Sequence, residues 1–158
     1  MSSKEGTKQP NSRYCFGCGV ENTYGLGLIF YEVGTGHVLA EYSVPDVYQG
    51  YPGIVHGGIV FTMLDEALGR VTMMGDPTRF TVTAKVEVRF RKPVPTGELL
   101  QIHARVEKRR GRLSFANAEL RLADGSIAAE AKGMMAEVPD QTMSAEQLEA
   151  LGWKVYPD

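Results

Sequence analysis

The chain has 158 residues, 43% apolar and 23% charged, the balance of a single globular domain, and this excludes disorder over its whole length. A formal charge of −2 gives no reason to expect a nucleic-acid partner, because polyanion binders carry a clear basic excess. No run approaches the ~18 apolar residues of a membrane span, and the polar stretch Met1 to Tyr14 lacks the apolar core of a signal peptide, so a cytoplasmic protein without membrane attachment is expected.

In chain order, residues 1–14 read as a flexible arm, 15–140 as one domain and 141–158 as a tail carrying a short helix. The stretch CFGCGVENTYGLGL, from Cys15 to Leu28, is glycine-rich and predicts an ordered loop of turns. Leu28 to Tyr31 and His37 to Val44 are β-rich runs around the paired glycines of Val33-Gly34-Thr35-Gly36, a hairpin pattern. After Pro45 a loop leads to apolar residues at 60, 63, 64, 67, 68, 71 and 74, the period of one helix packed on a sheet, stopped by Gly75-Asp76-Pro77. From Thr78 the period becomes two, placing Phe80, Val82, Ala84, Val86, Val88 and Phe90 on one face of a long strand and Thr81, Thr83, Lys85, Glu87, Arg89 and Arg91 on the other. Further strands are expected at Glu98 to Val106, Leu113 to Leu122 and Ser126 to Val138, and Ser144 with Gln147 forms a capping-box pattern ahead of the tail helix. Strands segregated from one long helix argue for an α+β fold with an antiparallel sheet, whose edges favour dimerisation.

The chemistry concentrates in YPGIVHGGIVFTMLDEALG, Tyr51 to Gly69, where two adjacent acids, Asp65 and Glu66, sit on an otherwise apolar helix. Carboxylates are seldom buried without a task or a partner, so the pair is either solvated or functional. Gly57 and Gly58 occupy the helix N-terminus, where free backbone N–H groups and the positive end of the dipole can receive developing negative charge. His56 could simply cap that helix, and Thr83 could be no more than a β-former.

Three stretches together, HGGIVFTMLDEALG, VTAKVEVRFRKPVPTG and CFGCGVENTYGLGL, resemble the hotdog-fold acyl-CoA thioesterases of the phenylacetate-pathway and 4-hydroxybenzoyl-CoA type. The resemblance covers about Cys15 to Val138 and implies a curved antiparallel sheet wrapped around one long central helix, in a homodimer or dimer of dimers with active sites between chains. It implies hydrolysis of an acyl-CoA to free acid and CoA, with no cofactor and no metal. By that likeness Asp65 is the catalytic carboxylate, as general base or as nucleophile, Gly57 supplies the oxyanion N–H, and His56 orients the loop or the thioester. Gln49 takes the place of a residue that positions water, and Thr83 that of a strand threonine assisting the carboxylate of the partner subunit. Substrate contacts are assigned to Gly58, Phe61, Glu66, Arg89 and Arg91, the last two because arginine forks suit the phosphates of CoA. Lys92 and the run Lys108, Arg109, Arg110 and Arg112 share that chemistry. Phe61, Met63, Met73, Met74 and Phe80 are candidate pocket walls.

Alternatives stay open on the residues alone. Glu66 could be the catalytic acid in place of Asp65; a hydratase or dehydratase of the same fold, or a non-catalytic acyl-CoA sensor, would use similar surfaces. Cys15 and Cys18 offer two of the four ligands a structural zinc needs, and are too few for a disulfide framework.

Overall fold

The computed structural model describes residues 5–137 and 143–158, so Val138 and the expected boundary at residue 140 lie outside the described residues. The chain order is β1 (Thr7–Lys8), β2 (Tyr31–Gly34), β3 (His37–Ser43), a 3₁₀ turn (Asp46–Tyr48), α1 (Gly57–Thr72), β4 (Thr81–Phe90), β5 (Leu99–Arg110), β6 (Leu113–Arg121), β7 (Ile127–Glu137) and α2 (Ala145–Leu151). Among the described residues seven strands form one sheet in the order β1-β2-β3-β5-β6-β7-β4, antiparallel at every pairing, and α1 packs across one of its faces against β3 through β7. The α+β class and the single long helix are as the sequence predicts.

The helix lies where its apolar stripe dictates. Val60, Met63, Leu64, Ala67, Leu68 and Val71 are buried against Leu100, Ile102, Ala116, Ala118 and Ala131 of the sheet. Small residues on β6 and β7 let the helix approach closely, each fully buried leucine contributing about 1.5–3 kcal/mol of hydrophobic stabilisation. Arg109 of β5 donates to the carbonyl of Thr72 at 2.9 Å, a cation placed at the negative end of the helix dipole.

Two expectations change. Residues 9–12, read as part of a flexible arm, are packed in: Gln9, Asn11 and Ser12 are buried, and Asn11 Nδ2 donates to the carbonyls of Cys18 and Leu28. Short polar side chains that satisfy buried loop carbonyls look identical in sequence to those of a solvated tail. The second change is in β4. Thr83 pairs with Met135 but Lys85 pairs with Met134, so Ala84 is an extra residue, a β-bulge. The bulge inverts the alternation: Thr81 and Thr83 join Val86, Val88 and Phe90 on the side facing α1, while Val82 turns to solvent. Strict period-two reading puts those threonines on the wrong face.

The described tail is anchored as well. Ser144 and Gln147 make both bonds of the capping box on α2, and beyond it Trp153 Nε1 donates to the carbonyl of Pro77 at 2.8 Å. Among the described residues no helix is long and apolar enough to cross a membrane.

Candidate active site

The bulge in β4 has a direct consequence for the helix acids. Thr83 Oγ1 donates to Asp65 Oδ1 at 2.7 Å, so the carboxylate is oriented by a hydroxyl of its own chain. The family pattern led us to expect this threonine across a subunit boundary, whereas within the single chain the bulge already delivers it. Asp65 is only half-buried and opens onto a cavity of about 270 Å³, lined by Met73, Phe80, Met135, Leu151 and Trp153 on its apolar side and by Cys15, Cys18, Glu66 and Arg70 on its polar side. Of the expected wall residues, Met73 and Phe80 line it; Met63 is wholly buried in the core, and Phe61 and Met74 lie outside this cavity.

Glu66 is one residue away and in another environment. Its carboxylate is paired with Arg70 Nε at 2.9 Å and roofed by the Cys15–Cys18 loop, where a Cβ on Gly17 would lie 2.5 Å from Glu66 Oε2. Burial pushes its pKa up to about 7, against the opposing pull of Arg70. Asp65 therefore faces the cavity with only the Thr83 hydroxyl bonded to it among the described residues, while Glu66 is committed to an ion pair with Arg70. The sequence carries no sign of Arg70 as a core residue, yet its side chain is 2% exposed, lies over the rings of Phe30 and Trp153, and donates to the carbonyl of Pro10 at 2.5 Å.

At the other end of the helix, His56 is the N-cap: its Nδ1 accepts the N–H of Gly58 at 2.9 Å. That bond occupies the Gly58 amide and leaves the Gly57 N–H, the first of the helix, without an acceptor among the described residues. Gly57 opens onto a shallow groove of about 360 Å³ with Phe90, Arg91 and Lys92. Gln49 stands nearby on the surface and holds the loop ahead of the helix, its Oε1 accepting the Gly53 N–H at 3.1 Å. Phe61 lies one turn beyond Gly57 and one turn before Asp65, 40% exposed. The two arginines are separated: Arg91 lines the groove and pairs with Glu130 at 2.6 Å, whereas Arg89 lies among Glu87, Glu130 and Lys132.

The structure thus brings Asp65 and Thr83 together and holds His56, Gly57, Gly58 and Gln49 in a second group. From position 57 to 65 the helix rises about 12 Å, so the free amide and the carboxylate of one chain cannot both touch one carbonyl group. As to metals, Cys15, Cys18 and Glu66 bring donor atoms within 4.8 Å of one another. Arg70 already satisfies Glu66 with a fixed positive charge, which opposes a cation at that spot.

Comparison with known proteins bears on this arrangement. The family model for the thioesterase superfamily matches residues 52–129, which spans α1, β4, β5, β6 and the start of β7. The chain belongs to the thioesterase superfamily. A crystal structure of another superfamily protein superposes with a TM-score of 0.73 at 27% identity, covering 78% of this chain and 63% of that one, and its hotdog fold is the fold of this protein. The bovine (Bos taurus) acyl-coenzyme A thioesterase THEM4 is 32% identical over 97 residues, 61% of this chain, and the chain spans 39% of that relative's length. A Streptococcus mutans protein crystallised with acetyl CoA shares the fold at 23% identity, with a TM-score of 0.63 over 69% of this chain and 86% of that one.

Proposed function

We propose that this protein hydrolyses an acyl-CoA thioester, with Asp65 as the catalytic carboxylate and the Gly57 amide as the oxyanion donor. The observation that carries this reading is the Asp65 carboxylate, fixed by Thr83 at 2.7 Å at the mouth of a largely apolar cavity. Thioester cleavage needs a base or nucleophile beside the carbonyl carbon and a donor on the carbonyl oxygen, where charge develops. Asp65 meets the first need from the cavity, and Gly57 meets the second from the groove. Superfamily membership and the acyl-CoA thioesterase name of the bovine relative support the same substrate class.

Because the two groups lie about 12 Å apart along one helix, a working site takes one from each of two chains. Among the described residues β4 is an unpaired edge of the sheet, and Phe90 on its α1 side and Phe61 on α1 are left exposed beside it. Antiparallel pairing of two β4 edges about a two-fold axis also sets the two α1 helices antiparallel, which carries the Gly57 end of one toward Asp65 of the other. In that arrangement Arg91 and Lys92 flank the path of the CoA phosphates, and the acyl group enters the cavity closed by Leu151 and Trp153. Gln49 and His56 hold the loop that presents the amide.

The test is release of free CoA thiol from short, medium, long and aromatic acyl-CoAs by wild type and Asp65→Asn. The reading expects turnover by wild type and a loss of at least ~10²-fold in the variant. Binding of acyl-CoA without release by either protein would replace it with a sensor or carrier, and altered unsaturation without thiol release with a hydratase or dehydratase.

A further inference from the structure

The loop that roofs Glu66 carries the chain's two cysteines, and nothing in thioester hydrolysis requires them. Its construction is specific. Buried Asn11 grips the Cys18 carbonyl at 2.7 Å, Ser12 Oγ accepts the Cys15 N–H at 3.2 Å and stands 3.7 Å from Cys18 Sγ, and the Gly19 N–H closes a turn on the Cys15 carbonyl at 2.7 Å. The turn presses its sulfurs onto the helix, within 4.8 Å of each other and of the Glu66 carboxylate. Cys15 is exposed and Cys18 buried, and both line the cavity that Asp65 faces.

The two thiols are electrostatically unlike. The neighbouring Cys18 S–H and the amides of Cys18 and Gly17 hold the Cys15 pKa down at about 6, although burial and the Glu66 charge oppose them. Cys18 moves the other way, chiefly because its proton faces the Cys15 sulfur and because it is buried, while Arg70 pulls it back. The same closeness of the two sulfurs that activates Cys15 thus keeps Cys18 protonated. Once Cys15 ceases to be a thiolate, that interaction is lost and the Arg70 charge is left favouring the Cys18 thiolate.

We propose that Cys15 and Cys18 form a redox-active dithiol that reacts with disulfides of small thiols, Cys15 being the attacking and Cys18 the resolving sulfur. In the first step the Cys15 thiolate attacks one sulfur of the small disulfide, forms a mixed disulfide and expels one thiolate, which takes a proton from water. In the second, Cys18 gives its proton to the adjacent Glu66 carboxylate and attacks Cys15 Sγ, closing the Cys15–Cys18 disulfide and expelling the second small thiolate. Two protein thiols are oxidised to one disulfide, and one small disulfide is reduced to two thiols. The thiol that hydrolysis would release beside Asp65 belongs to the same chemical class, a connection that rests on the function proposed above; the dithiol chemistry itself does not.

The experiment exposes the fully reduced protein to glutathione disulfide and follows free thiols and intact mass, with no thioester present. Wild type is expected to lose both thiols together and end two hydrogens lighter, without accumulating an adduct. Cys18→Ser, and equally Cys18→Ala, should stop with one glutathione on Cys15, and Cys15→Ser should stay unmodified because Cys18 is buried. At pH 6 Cys15 should react about tenfold faster than an ordinary thiol, its greater ionisation outweighing its lower nucleophilicity. A stable glutathione adduct on wild type, unreactive thiols, or purified protein holding a stoichiometric zinc ion on the two sulfurs would each overturn the proposal. Failure of thioester hydrolysis in a separate assay leaves these readouts unaffected, so the two ideas fall independently.

Discussion

The two ends of α1 present different chemistry on the same helical geometry. The N-terminal end is exposed at His56, Gly57, Gly58 and Phe61, carries an amide without an acceptor among the described residues and borders two cations, but it has no acid. The middle and C-terminal half has Asp65 on a cavity and Glu66 in a buried pair with Arg70, but its amides are consumed by the helix ladder. Neither half is chemically complete, and the rise of the helix forbids them from meeting in one chain. The lesson is that the exposed β4 edge, an aggregation liability in a lone domain, is what a two-chain site would need in order to bring unlike halves together.

Breaking either half should be costly, and in different ways. Gly57→Pro removes the N–H at the first helical position and adds a ring whose Cβ would lie in ordinary contact with Phe90; proline is well accommodated there, and His56 already has the extended backbone that a following proline prefers. Together with Asp65→Asn it should give the largest losses, about 10²-fold or more in kcat, with melting temperatures near wild type. Thr83→Val removes the bond that orients Asp65 and should cost about tenfold in kcat with KM little changed, since a hydrogen bond to a charged group contributes about 1.5–3 kcal/mol. Trp153→Ala opens the closed end of the cavity and should shift chain-length preference toward longer acyl groups, checked by kcat/KM across a saturated series.

The smallest effect lies outside both halves and serves as a control. His103, stacked on His37 across β3 and β5, is held down to about 4 by burial, then by the Arg121 charge. The unfolded chain takes up that proton from about pH 6.5 downward while the folded chain refuses it until about 4, so stability should fall as pH drops through this window. His103→Asn should flatten that part of the stability curve without changing kcat near neutral pH, as read by denaturant melts at several pH values.

Much of this was legible in the sequence because periodicity and motif spacing are local. The helix register, the hairpins and the glycine-led helix start follow from apolar spacing and residue type. The bulge at Ala84 was not legible: one extra residue leaves no compositional mark, yet it decides that Thr83 reaches Asp65. Arg70 was hidden for a related reason. A buried arginine reads as a solvated one until its partners, Glu66, the Pro10 carbonyl and two aromatic rings, arrive from distant parts of the chain. The roles of the two acids were likewise beyond spacing, since adjacent positions gave no hint that one would be paired and the other left open.

The central claim, a site made of the helix start of one chain and the carboxylate of another, is tested most directly by complementation. Asp65→Asn and Gly57→Pro, each inactive alone, are unfolded together, refolded as a one-to-one mixture and assayed for CoA release. Random pairing makes half the dimers mixed, each with one intact composite site, so activity should return to about a quarter of wild type, as expected for closed two-fold dimers. Activity that stays at the level of the separate variants would contradict the account and place the whole reaction within a single chain.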